Sequence, residues 1–293
     1  MSQASARERP PAEAEVYVGI PVYNGAKSLA RVLENLTAQT YRDLLFVISD
    51  NGSTDATAQI CAEWVARDPR IRYFRQPATI PATDNFKFVL GKCRAPFFMW
   101  AAHDDFRDLP YVEKLLAALR ARPDAILAFG DVTQYTDGRA SKVALRFETA
   151  GCSPGRRLRW AALSQLHHLY GLWRTAALRR IDWRHVDWWH DTPLMMAASQ
   201  LGEFVHVPGV TFHYNNTSHP FFARTDKQGR LAQAAARARD MLLLIWLAGR
   251  TVGEIAGPWR GFVATFWVTV RLARDTSGFV WRRSAGRLAR KGG

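Results

Sequence analysis

Two adjacent aspartates, Asp104 and Asp105, stand where the apolar run of residues 97–102 gives way to polar chain. Neighbouring carboxylates repel. A bound Mg²⁺ or Mn²⁺ relieves that repulsion and keeps positions open for water and substrate phosphates. The plainer alternative is an acidic cluster ahead of the helix that Asp108-Leu109-Pro110 opens. A second polar cluster, Ser49 to Asp55, follows the apolar run 44–48. Asp50 there can accept from a base N–H or a ribose hydroxyl, while Asp55 suits a helix N-terminus. The alternative for this cluster is a polar turn with a helix cap.

These residues need a scaffold that holds strand ends side by side. The β-branched run 16–20 leads into the turn-prone Pro21-Val22-Tyr23-Asn24-Gly25. Leu29, Leu33 and Leu36 then recur at helical spacing within 26–39. Strand 44–48 precedes a helix running to about Arg67, for which Thr54 is the expected N-cap. Strand 71–74, a short helix 85–93, strand 97–101, a helix 110–122 with Pro at its first turn, and strand 125–129 continue the alternation. Such a rhythm predicts an α/β fold with a mainly parallel, Rossmann-like central sheet flanked by helices. Ligands bind such sheets beyond the carboxyl ends of the strands. After about Thr133 the rhythm breaks. Residues 134–153 read as a loop or β-insert, 156–168 and 192–201 as helices, and 203–207 as a strand.

Of the 293 residues, 48% are hydrophobic and 23% charged, which predicts a packed core. The net charge of +14 is uneven: residues 221–293 hold 14 Lys/Arg against 4 Asp/Glu, and the rest 26 against 22. Cys61, Cys93 and Cys152 are odd in number and widely spaced, so neither a disulfide framework nor a zinc site follows, and a reducing compartment is expected. Residues 1–15 are polar with paired prolines and lack the apolar stretch of a signal peptide; a disordered lead is expected there. The apolar runs 241–249 and 261–270 are each about half of the roughly 20 residues a membrane span needs.

In order and spacing, VGIPVYNGAKSLARVLENLTAQTY, FVISDNGSTDAT, FFMWAAHDD, YGLWRTAAL and HDTPLMMAASQLGEFVHVP resemble the family 2 glycosyltransferases of GT-A fold, over residues 16 to about 219. The resemblance implies inverting sugar transfer, hexosyl or deoxyhexosyl, from a nucleotide-diphosphate donor. Pro21, Tyr23 and Asn24 would border the nucleotide, with Asn85 on the same side. Asp50 would meet the nucleobase and Asp104 the ribose and diphosphate. Asp105 would bind Mg²⁺ or Mn²⁺. Asp191 matches the catalytic base, although Thr192-Pro193 behind it equally suits a helix cap. Tyr170, Gly171, Trp173 and Arg174 match the acceptor side, to which His190 also belongs.

This chain departs from the family pattern in three places. His103 stands where relatives carry another acid; it could touch the sugar, cap the strand or ligate the metal. Asp84 precedes Asn85 where relatives often have Arg, so Lys87 or Arg75 would have to supply the cationic contact. His213 and His219 match the family's late Tyr-Arg-x-His pattern only loosely.

Three parts are expected: the lead 1–15, a catalytic domain 16–220, and a basic, aromatic-containing helical extension 221–293. The extension, with Phe279, Trp281 and several arginines near its end, suits a helix lying in an anionic membrane surface. The alternative is a hairpin packed on the catalytic domain. No nucleic-acid-binding motif accompanies the charge. The expected acceptor is a saccharide or lipid-linked glycan of polysaccharide synthesis, reached from the cytoplasmic face of the cell membrane. Two rivals are a non-catalytic membrane-associated scaffold of the same fold and a nucleotidyltransferase, for which PVYNGAK is a poor loop. A dehydrogenase lacks its Gly-x-Gly-x-x-Gly. Donor sugar, base, linkage and the role of His103 are not encoded in spacing.

Overall fold

A computed structural model describes residues 14–136, 138–143, 148–163, 166–181, 191–216, 242, 245–246 and 248–270. Its elements are β1 (Val16–Val22), α1 (Leu29–Thr37), β2 (Leu44–Asp50), α2 (Thr57–Arg67), β3 (Ile71–Arg75), α3 (Ala82–Lys92), β4 (Phe97–Trp100), β5 (Phe106–Arg107), α4 (Tyr111–Ala121), β6 (Ala125–Thr136), β7 (Arg139–Val143), α5 (Pro154–Leu163), β8 (Leu172–Arg174), α6 (Thr175–Leu178), α7 (Asp191–Leu201) and β9 (Glu203–Asn215). Two further helices, α8 (residues 248–256) and α9 (residues 258–270), follow in the extension.

The sheet runs β3-β2-β1-β4-β8-β6-β9-β5, with β7 on β6. β3, β2, β1 and β4 are parallel, as the alternation predicts. Every residue of β1, β2 and β4 is buried, because both faces are covered. One core lies under α1, α2 and α4 and includes Val18, Ile20, Phe46 and Leu115. The other lies under α3, α5 and α7 and includes Phe98, Trp100, Trp173 and Phe204.

Beyond β4 the sheet is mixed. β8 enters antiparallel between β4 and β6, and β9 returns parallel to β6. The segment 134–153 is a β-insert at its start: β6 continues to Thr136 and folds back as β7. The strand expected at 203–207 runs on to Asn215, while β5 and β8 are too short for any periodicity to show. Thr54 does not cap α2. Its N–H is taken by Asn24 Oδ1 at 2.8 Å, and Asp55 Oδ1 accepts the Thr57 N–H at 3.0 Å instead.

In the extension, α8 and α9 cross at glycines. A Cβ on Gly261 would lie 2.5 Å from the Gly249 carbonyl oxygen, so only the missing side chain permits the approach. Ala248, Val252, Ala264 and Val268 are fully buried in the core shared with α5 and α7. Arg260 donates to Gln200 Oε1 at 3.0 Å, near the C-terminal end of α7. The packed-hairpin alternative therefore holds for residues 248–270. Phe279, Trp281 and the basic residues around them lie outside the described residues.

Candidate active site

Parallel registration sets the ends of β1, β2 and β4 on one edge: Val22 pairs with Asp50, and Gly19 with Trp100. The loops leaving that edge are laced together. Asn24, at φ 51°, donates its N–H to Ser53 Oγ at 2.9 Å, and the Gly25 N–H reaches Thr57 Oγ1 at 2.9 Å. The Ala26 N–H reaches Asp55 Oδ2 at 3.0 Å. Burial works against the Asp55 charge, but the bonds from Thr57 and Ala26 prevail and hold its carboxyl below the ordinary value. Asp55 thus serves the loop and the helix, as expected.

Asp50 is fully buried and already supplied with donors. Its Oδ1 accepts the Ser53 N–H at 2.8 Å; its Oδ2 accepts the Tyr73 hydroxyl at 2.8 Å and Arg75 Nη1 at 3.4 Å. Burial and the Asp50 carboxylate together push the Tyr73 phenol up to about 12. Asn85 is likewise buried. Its Oδ1 accepts the Ser49 hydroxyl at 2.5 Å and its Nδ2 donates to the Ser49 carbonyl at 3.0 Å, tying α3 to β2. Tyr23, 47% exposed, presents a ring at this edge. Of the two cations considered, Lys87 pairs with Asp84 at 3.2 Å. Arg75 is half exposed and linked to Asp50 and the Ser53 carbonyl, beside the strand ends.

Asp104 and Asp105 leave β4 on the same edge. Asp105 is 1% exposed and accepts the Asn215 N–H at 2.8 Å. Burial pushes its carboxyl up to about 7; Asp104 adds to the rise, against the Asn215 N–H and the Arg107 charge. Arg107 is buried behind it, 4.9 Å over the Phe212 ring, donating from Nη2 to the Trp100 carbonyl at 2.9 Å. Its Nε and Nη1 have no hydrogen-bond partner among the described residues. His103 packs on the first loop, its ring 2.8 Å from where a Gly25 Cβ would stand.

These residues suit a hard divalent ion. The donors are carboxylate oxygens, and desolvation makes a charged Asp105 costly until a cation arrives. Among the described residues no three His, Cys, Asp or Glu side chains form a cage. The rest of a coordination shell would come from phosphate and water.

Asp191 is the first residue of α7. Its charge and those of Asp104 and Asp105 act on the same two phenols, Tyr170 and Tyr214, which burial already raises above their ordinary value. Tyr170 stacks on Phe212 at 5.4 Å. His167 meets Tyr214 edge-on at 4.5 Å, and burial pulls its imidazole down against the opposing charge of Asp191.

The acceptor-side segment divides. Tyr170 lies at the site, but Gly171, Trp173 and Arg174 do not face it. β8 runs antiparallel to β4, with Met99 opposite Leu172 and Phe97 opposite Arg174, so the chain leaves the site edge as it proceeds. A Cβ on Gly171 would strike the Ala128 carbonyl oxygen. Trp173 is fully buried between Trp100 and Phe204. Arg174 donates to the carbonyls of Ala125 and Leu119 at the far end of the sheet. These three are corrected from acceptor contacts to framework. His190 lies outside the described residues, as does His219. His213 pairs with Asp108 at 2.9 Å and braces β9.

Sequence reasoning missed Tyr214, Asn215, His167 and Arg107 as members of the site. The late cluster His213-Tyr214-Asn215 hinted at the first two; nothing pointed to His167 or Arg107.

The family model described as "Glycosyl transferase family 2" matches residues 17–181. Glycosyltransferase GlyA of Streptococcus pneumoniae is 33% identical over 102 residues, 34% of this chain and 14% of that protein. Chondroitin synthase of Escherichia coli is 36% identical over 106 residues, 36% of this chain and 15% of that protein. This chain therefore spans well under half the length of these relatives. In fold it is similar to Staphylococcus aureus TarS 1–349 in complex with UDP-GlcNAc, with a TM-score of 0.68 and 14% identity over 90% of this chain and 73% of that one. A mannosyltransferase from Pyrobaculum calidifontis in complex with GDP-Man and Mn²⁺ gives 0.50 and 15%, over 95% and 81%. The sheet has the GT-A architecture of these enzymes. With more than half of its length matched by the family model, the chain belongs to the family 2 glycosyltransferases.

Proposed function

We propose that this protein transfers a sugar from a nucleotide-diphosphate donor to an acceptor hydroxyl with inversion at the anomeric carbon. The observation that supports the reading is the buried carboxylate of Asp105 at the exit of β4, fastened to Asn215 beside Tyr214, on the edge where β1 and β2 also end. The nucleotide lies across the laced loops, with its base near Tyr23 and the Asp50–Arg75 corner. Because three protein donors already occupy Asp50, a base edge meets it from the side of Arg75, its longest contact. Asn85 acts by holding β2. Asp104 faces the ribose and diphosphate.

Asp105 would hold Mg²⁺ or Mn²⁺, and the ion would supply charge neutralisation for the leaving diphosphate. Asp191 takes the proton of the acceptor hydroxyl as that oxygen attacks the anomeric carbon. Burial and the carboxylate charges keep the phenols of Tyr170 and Tyr214 protonated. A single base with in-line attack gives inversion. The solved mannosyltransferase with Mn²⁺ and the nucleotide-sugar complex of TarS support this donor class.

The catalytic unit is assigned to residues 16–220 and the extension to 221–293. The acceptor is a saccharide or a lipid-linked glycan, met at the cytoplasmic face of a membrane to which the basic extension binds peripherally. The test is Asp191→Asn. Transfer is expected to disappear while donor binding, read by calorimetry with metal present, survives. Unchanged turnover removes Asp191 as the base.

A further inference from the structure

We infer that the outer face of the α8–α9 hairpin docks on the headgroup layer of an anionic bilayer. The inference deepens the membrane part of the proposed function and rests on that reading. The hairpin has two faces. Its inner face is used up against the catalytic domain by Ala248, Val252, Ala264 and Val268. Its outer face exposes Trp246 at 51%, Trp259 at 73%, Phe262 at 65% and Phe266 at 55%. Trp259 and Phe262, three residues apart, stack at 5.9 Å. Aromatic surface gathered in this way marks an interaction site rather than ordinary exposure. The glycine crossing sets both helices at one fixed spacing, so the patch is built before it meets its occupant. An open groove of about 480 Å³ runs between Trp246 and Phe262 over Gly249 and Gly253.

The charges at the edge choose the occupant. Arg250 lies 5.3 Å over the Trp246 ring and pairs with Glu254 of the same groove at 2.8 Å, so that pair is neutral; the uncompensated charge comes from α5, where Arg159 reaches to within 4.9 Å of the Trp267 ring. Arg156 is exposed on the same helix as Arg159. Residues 221–293 carry an excess of ten positive charges, 14 Lys/Arg against 4 Asp/Glu. Trp and Phe at headgroup depth with Arg beside them is the composition of an element lying in the interface. Among the described residues no helix is long and apolar enough to cross a membrane. A second copy of the chain on a two-fold axis would set this basic rim against itself. Anionic lipid complements it.

The test uses the full chain and flotation with phosphatidylcholine vesicles, with and without phosphatidylglycerol, at low and high salt. The protein is expected to float with the anionic vesicles and to be released by salt. The double variant Trp259→Ser, Phe262→Ser is expected to lose about tenfold in vesicle affinity. Its thermal shift with UDP or GDP should match the parent's, which shows the fold intact. Trp281→Ser, in the basic tail, should stay within about twofold of the parent. The inference is overturned if the double variant floats like the parent, or if Trp281→Ser alone abolishes flotation. It is also overturned if the parent does not float and sediments as a dimer that the double variant dissociates. Donor hydrolysis in vesicle-free buffer separates the two readings. Hydrolysis without flotation removes the docking face alone; flotation without hydrolysis removes the transferase reading and leaves the docking face.

Discussion

The carboxylate of Asp105 accepts the backbone N–H of Asn215 at 2.8 Å, which fastens the exit of β4 to the last residue of β9. Asp105→Asn keeps an acceptor for that N–H and removes a buried charge. Without metal near pH 8, the variant is expected to be as stable as the parent or more so, by up to about 2 kcal/mol. Mn²⁺ with UDP or GDP should raise the melting temperature of the parent only. Scanning fluorimetry reads both effects, and a variant that still responds to Mn²⁺ removes Asp105 from the metal.

Tyr214 stands between Asp191 and the Asp104–Asp105 pair in charge, and its hydroxyl is the group at stake. Tyr214→Phe keeps the ring against His167 and removes the donor. If that hydroxyl donates to a carboxylate or to the reacting groups during transfer, turnover is expected to fall about tenfold with donor affinity held, the scale of one hydrogen bond to a charged group. Steady-state kinetics would show this as a fall in kcat at constant donor KM. A rise in KM alone would make Tyr214 a binding residue.

Asp50 gathers Ser53, Tyr73 and Arg75. Asp50→Asn puts an amide donor where only acceptors fit, at a cost of about 1–3 kcal/mol. The loop 51–55 should loosen and nucleoside diphosphate affinity fall, with kcat at saturation little changed. Calorimetry with the nucleotide alone gives the first number and kinetics the second.

Arg70 grips Asp68 through Nη2 at 2.7 Å and Nε at 3.0 Å, and those bonds hold the Asp68 carboxyl below its ordinary value. The folded state therefore binds this proton less readily than the unfolded one. The stabilisation is complete above the unfolded value of about 3.9 and is lost as pH falls through the folded value. Asp68→Asn should cost about 1 kcal/mol at pH 7, with the gap to the parent closing on acidification below about pH 4. Urea unfolding across that range is the measurement; a gap that does not depend on pH would place the cost in packing.

What could be read from the chain was what neighbouring residues decide among themselves. The apolar run into Asp104 and Asp105 located β4 and its charged exit, because burial on both faces leaves a continuous hydrophobic signature. Asp191 was placed at a helix start by Thr192 and Pro193. Trp173 and Arg174 were misplaced because β8 is three residues long, and its direction depends on β4 and β6, which are distant in sequence. Tyr214 was missed for a related reason. It reaches the site only because β9 stays in the sheet for 13 residues, past a register shift between Gly130 and Asp131 on its partner. That Asp50 and Asn85 are spoken for inside the protein depends on Tyr73, Arg75 and Ser49, a pairing that no local pattern contains.

Helix α7 begins at Asp191 and, nine residues on, holds Arg260 of the hairpin through Gln200. At 1.5 Å per residue the two ends stand about 14 Å apart. The helix is thus a rigid spacer between the candidate base and the hairpin. If the proposed docking face and base both hold, an acceptor anchored in lipid at the hairpin end would have to bridge that standoff before its hydroxyl meets Asp191. A hydroxyl flush with the headgroups would then fall short, and one carried on several sugar rings, or on an extended phosphate linker, would have the reach. The length of α7 would then set a minimum size for the acceptor, and lengthening or shortening it by whole turns would move that minimum.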